Sequence, residues 1–92
     1  VLIVKRQTSE TAQFFGLADR GVLAPGLRAD VNVIDYEGLR LHIPEVRYDL
    51  PAGGRRLVQR VDGYDATFVA GVSIFEHGEP TGAMPGKLVR AA

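Results

Sequence analysis

His42 and His77 are the only imidazoles in this 92-residue chain, and they are the first places to look for chemistry. His77 stands in Glu76-His77-Gly78-Glu79, where two carboxylates flank an imidazole as they do in many metal sites. The same residues suit the tip of a hairpin, where polar side chains and glycine belong. Spacing of this kind is too common to establish a metal site, so the hairpin tip is the expectation. His42 alternates with Leu41 and Ile43, which puts it on the solvent side of an extended segment. Gly53-Gly54-Arg55-Arg56 joins backbone N–H groups to two guanidiniums, the makings of an anion cradle. No helix start follows it and the phosphate-loop pattern is missing, so a turn is expected there.

The carboxylates Asp30, Asp35, Asp49 and Asp62 are scattered along the chain, and Asp30 and Asp62 are expected to hydrogen-bond turn backbone. Ser9 and Ser73 lack the pattern of a nucleophile elbow. Asp19-Arg20 reads as an ion pair fixing a helix-to-strand turn, a contact worth little if exposed. A hydrolytic zinc site needs three protein ligands and an open position for water. Two distant histidines and no cysteine do not supply that set, so no catalytic, cofactor-binding or metal-ligating residue is assigned.

The composition narrows the class further. Lys plus Arg and Asp plus Glu number eleven each, so there is no net positive charge to displace counterions from a nucleic acid. No apolar run is long enough for a membrane helix, and no signal-peptide pattern is present. Without cysteine there are no disulfides to support a thin core, and a reducing, cytoplasmic setting is expected. The chain opens on Val1-Leu2-Ile3-Val4, all apolar, as though taken from inside a larger core. That predicts a fragment of a longer protein.

The elements that carry these residues are short. Thr8 or Ser9 is expected to cap a helix over residues 9–15, with Gly16 just past its end in a left-handed conformation. Pro25-Gly26 fits the centre of a type II turn. Residues 31–35 are β-branched and read as a strand. Pro44 and Pro51 break up residues 37–54, which read as a long loop with one short extended piece around 41–43. Three strands at 57–61, 66–70 and 72–76, each ending near a glycine, predict a β-meander. The architecture is mainly β with a short N-terminal helical segment.

Gly16-Leu17, Asp19-Arg20-Gly21, Leu23-Ala24-Pro25-Gly26 and Ala29-Asp30-Val31 together resemble the C-terminal signature of the amidohydrolase superfamily. Further on, the stretch from Leu50-Pro51-Ala52-Gly53-Gly54 to Leu57, then Asp62-Gly63-Tyr64, Ala66-Thr67 and Val69-Ala70-Gly71, is similar to N-acyl-D-amino-acid deacylases (D-aminoacylases). So is the ending from Gly78-Glu79-Pro80-Thr81-Gly82 to Lys87-Leu88-Val89-Arg90. The resemblance implies a parent enzyme with a (β/α)8 barrel whose metal, usually zinc, activates water to cut a C–N amide bond. It also implies a small composite β-sandwich domain built from the two chain ends beside that barrel. Residues 1–17 would be the last helical segment of the barrel, which makes the opening residues helical, and 18–92 the C-terminal part of the small β domain. The His-x-His pair and the other ligands of such enzymes are missing from this chain, so no activity carries over.

Two functions follow. In the first, the chain is a non-catalytic C-terminal segment that packs against the barrel and N-terminal strands of its parent. In the second, it is a free-standing small β module that binds a protein partner or forms a homodimer through unpaired strand edges and an apolar face.

Overall fold

A computed structural model describes residues 1–90. It is mainly β, arranged in antiparallel sheets behind one N-terminal helical segment.

That segment starts earlier than residue 9. It runs as α1 (Leu2–Lys5), a widened π-type turn (Arg6–Glu10) and α2 (Thr11–Phe14), without interruption. The apolar opening is therefore helical, as the family resemblance implied. Thr8 and Ser9 do not cap it. Thr8 Oγ1 donates to the Val4 carbonyl at 2.6 Å and Ser9 Oγ to Lys5 at 3.4 Å, back-bonds of the kind that hydroxyls make inside a helix. Thr11 Oγ1 reaches five residues back to the Arg6 carbonyl at 2.6 Å, across the widened turn. The end of the helix is as expected. Gly16 has φ +72°, its N–H donates to Gln13, and the Leu17 N–H donates to Ala12 at 2.8 Å, the paired bonds of a Schellman stop.

Gly21 then folds the chain back onto the helix. A Cβ at Gly21 would lie 2.8 Å from the Ala12 Cβ and 3.0 Å from the Thr8 carbonyl, so only glycine allows this approach. Ala12 beneath it is the one buried apolar residue among the described residues. The type II turn at Pro25-Gly26 forms, with Gly26 at φ +82° and Leu27 N–H donating to Ala24.

The main sheet has the order β1-β6-β7-β8, from β1 (Val31–Ile34), β6 (Tyr64–Val69), β7 (Val72–Glu76) and β8 (Glu79–Pro80). A meander exists, but one strand later than expected: β6, β7 and β8 form it, and residues 57–61 leave the sheet. Two-residue turns join its strands. Ala70-Gly71 and His77-Gly78 all have positive φ, the mirror-type turn that matches strand twist.

Residues 37–54 are more ordered than a loop. β2 (Arg40–Leu41) pairs with β5 (Val61–Asp62), and β3 (Glu45–Arg47) pairs with β4 (Arg56–Val58). The two ladders lie end to end on one long hairpin, with residues 42–44 facing only 59 and 60. That extra residue is a β-bulge, and Pro44, which has no N–H to give a ladder, sits inside it. Gln59 Nε2 closes the gap by donating to the His42 carbonyl at 3.0 Å. Pro51 lies in the tip, not in a strand.

Packing is loose for a chain of this length. The Cα radius of gyration is 15.2 Å, against about 12 Å for a compact domain of this size. Leu2, Ile3, Val4 and Phe14 on the helix, Phe15 just past it, and Leu41, Val46 and Leu57 in the hairpin leave most of their surface open.

Candidate functional site

Asp30 is the best-connected polar side chain. Its carboxylate accepts from Arg28 Nε at 3.0 Å and from the Ala70 backbone N–H at 2.9 Å, and it lies 3.8 Å from Arg20. Arg20 in turn donates to both oxygens of Asp19, at 2.9 and 3.1 Å. The Arg20 hydrogen bond holds the Asp19 carboxyl below its usual range, and Asp19 raises Arg20 in the same way. Two backbone bonds frame the knot: Arg28 N–H to Asp19 at 2.7 Å and Gly71 N–H to Ala29 at 2.9 Å. The helix exit, the lead into β1 and the β6–β7 turn are thus fastened at one point. The Asp19–Arg20 pair acts at the helix-to-strand turn as the sequence suggests, and Asp30 bonds turn backbone as expected.

Asp62 does not. Its Oδ1 lies 2.9 Å from His42 Nε2, so it serves a side chain across the hairpin instead of a turn. His42 is exposed on an extended segment, as its alternation implied. His77 sits at the tip of the β7–β8 turn, largely in solvent, with Asp65 Oδ1 4.0 Å away. The two histidines therefore face different aspartates on different elements. Among the described residues, no group of three or more His, Cys, Asp or Glu side chains comes together to hold a metal. This donor set does not fit the zinc centre implied for the parent enzyme.

The arginines of the 53–56 stretch divide. Arg56 forms a two-point pair with Asp49, at 2.8 and 2.6 Å, which pulls the Asp49 carboxyl down and raises Arg56. Gly53 and Gly54 shape the tip, where Leu50 N–H donates to the Gly54 carbonyl at 3.2 Å. Arg47 is paired with Glu45 at 2.6 Å and Arg60 with Glu79 at 3.3 Å. Arg47, Arg56 and Arg60 border an open groove of about 430 Å³, where Val58 and Val61 of the hairpin stand across from Tyr64, Thr67 and Phe75 of the main sheet. With its guanidiniums answered by carboxylates, the groove offers an anion little. These pairs position strands.

No helix among the described residues is long and apolar enough to cross a membrane.

Over 59 residues, 64% of its length, the chain is 36% identical to an adenine deaminase of Desulfatibacillum aliphaticivorans. It spans about 10% of that protein. No family model matches the chain, and no solved structure matches it. The similarity to an amidohydrolase-superfamily enzyme supports the resemblance at the level of the superfamily.

Proposed function

We propose that this chain is the C-terminal portion of a metal-dependent amidohydrolase, where it helps to build a small β domain beside the catalytic barrel and carries none of the reacting groups. The observation behind this is the contrast between ordered turns and an absent core. The helix stop, the Asp30 knot and two mirror-type turns are well formed, yet Ala12 alone is buried among the described apolar residues. Such a chain has well-defined local structure and needs another surface to cover it. On this reading residues 1–17 close the barrel, and residues 18–92 complete a composite sandwich with the N-terminal strands. Zinc belongs to the barrel, and the absence of cysteine suits a cytoplasmic enzyme.

The substrate of the parent is a finer matter. The motifs at 50–57 and 78–90 favour an N-acyl-D-amino-acid deacylase, and the partial match is to an adenine deaminase. Specificity in barrel enzymes lies in loops at the ends of the barrel strands, outside the elements described above. The deacylase is the reading preferred, because its motifs extend through both halves of the β region.

The test is the source gene. An open frame running upstream of Val1 through roughly four hundred codons, with a His-x-His strand, is expected for a barrel enzyme. A start codon and ribosome-binding site immediately ahead of Val1 would overturn the proposal. For the substrate, the full-length enzyme loaded with zinc should release free amino acid from N-acetyl-D-amino acids and leave adenine unchanged. Ammonia release from adenine alone would replace the deacylase with a deaminase.

A further inference from the structure

Asp62-Gly63 is the only Asp-Gly step in the sequence, and it forms the joint between the hairpin and the main sheet. β5 ends at Asp62 and β6 starts at Tyr64, so Gly63 alone links them. Glycine is required there. Its φ is +99°, and a Cβ would stand 2.9 Å from the backbone of Gly38 and Leu39. The Gly63 carbonyl accepts from the Asp35 N–H at 2.8 Å, whereas its own N–H meets no acceptor among the described residues. Just before it, the Asp62 side chain is 59% exposed, and its Oδ1 lies 2.9 Å from His42 Nε2. Arg40, the cross-strand partner of Asp62, shares that face.

Three requirements of one reaction meet at this joint. They are a main-chain nitrogen free of a hydrogen bond and of Cβ hindrance, an open carboxyl group one residue before it, and a proton donor within reach of a carboxyl oxygen. We propose that Asp62 is a site of backbone rearrangement, where His42 promotes closure of a succinimide with Gly63 and water reopens it to an isoaspartyl link. The Gly63 nitrogen bonds to Asp62 Cγ as the Cγ–Oδ1 bond breaks. Oδ1 leaves as water, taking one proton from the protonated His42 Nε2 and one from the Gly63 N–H. Water then adds to one of the two ring carbonyls. Addition at Cγ restores aspartate, and addition at the main-chain carbonyl leaves the chain running through Cγ, one methylene longer. The proton borrowed from His42 returns when the new carboxyl group ionises, so water is the only co-reactant. The added methylene falls beside the Arg40–Asp62 and Leu41–Val61 pairs and disrupts their register, which loosens the hairpin from the sheet. The inference uses only these residues and stands whether or not the amidohydrolase reading holds.

Ageing the full chain in mildly acidic heavy-oxygen water, followed by trypsin digestion and fragmentation of the peptide that begins at Val61, tests it. Heavy oxygen and isoaspartyl fragment ions are expected at Asp62 and not at Asp65, where alanine follows. The folded chain should react at least about tenfold faster than His42→Gln, the loss expected when a proton donor is removed. In urea, where the contact is gone, the two chains should react at the same rate. His42 is half exposed, so circular dichroism of H42Q should match the parent chain. His42→Lys keeps a cation beside the carboxylate but is a poor proton donor, and it should be as slow as H42Q. Equal rates for the folded parent and H42Q, or a faster H42Q, would overturn the proposal. So would full rescue by His42→Lys, or an Asp62 that reacts in urea and stays unlabelled in the folded chain.

Discussion

The carboxylate of Asp30 accepts the backbone N–H of Ala70 at 2.9 Å, joining the lead into β1 to the β6–β7 turn across 40 residues of sequence. Ala70 has φ +51°, a conformation that alanine takes reluctantly, so the bond holds a strained turn as well as a strand. Replacing Asp30 with Ala removes this bond and the partner of Arg28 together. A loss of about 1–2 kcal/mol is expected, as for a charge-assisted hydrogen bond at a half-exposed site. Urea denaturation of D30A beside the parent chain measures it; an unchanged midpoint would show that the knot does not hold the fold.

Ala70→Gly should act in the other direction. Glycine adopts positive φ without a Cβ clash and keeps the N–H that Asp30 accepts. A gain of up to about 1 kcal/mol is expected, reduced by the greater freedom of glycine in the unfolded chain. The thermal midpoint should rise in A70G and fall if the bulkier Val is placed there instead.

Gly21→Ala meets both backbone strain, at φ +93°, and the Ala12 Cβ at 2.8 Å. A cost of about 1–3 kcal/mol follows from overpacking and the unfavourable conformation together. The helical signal in circular dichroism should melt earlier in G21A, because the loop that covers Ala12 is pushed off. Unchanged melting would mean that the helix does not depend on this cover.

Acid should weaken the fold in a defined direction. Hydrogen bonds from Arg20 and Arg56 lower the carboxyl pKa of Asp19 and Asp49 in the folded chain. A lowered folded pKa means that the folded state binds fewer protons. The stabilisation is present in full above the ordinary aspartate pKa of about 3.9 and disappears as pH falls through the lower folded value. Both pairs face water, so the effect is modest. Denaturation midpoints should hold steady down to about pH 4 and then drop. D49N should make the drop shallower.

Features fixed by nearest neighbours in sequence were legible in advance. Gly16, Gly26 and the Asp19-Arg20 pair each serve a turn that a few residues specify, and the strand at 31–34 follows from β-branching. The start of the helix is hard to place from residue types because Val1, Ile3 and Val4 are weaker helix formers than Leu or Ala, and because Thr8 and Ser9 have side chains equally suited to a cap or a back-bond. Pro44 and Pro51 concealed the hairpin. Each reads locally as a break in a strand, although a bulge and a tip accommodate both. The Asp30–Ala70 and His42–Asp62 contacts depend on which strands pair, and no local pattern encodes that.

The bulge at 42–44 has a consequence for how the hairpin can vary. A strand is a two-beat code in which odd and even positions belong to opposite sides. The sequence Leu41-His42-Ile43-Pro44-Glu45-Val46-Arg47-Tyr48 changes beat at Pro44: apolar residues fall on odd numbers before it and on even numbers after it. The unpaired residue resets the count, so Leu41 pairs with Val61 before it and Val46 with Leu57 after it, apolar with apolar on both sides of the break. Deleting a single residue there would leave every side chain chemically intact while reversing the parity of the distal half, turning Val46 and Tyr48 toward the groove and Arg47 toward the outside. Length at this point matters more than the identity of any one side chain.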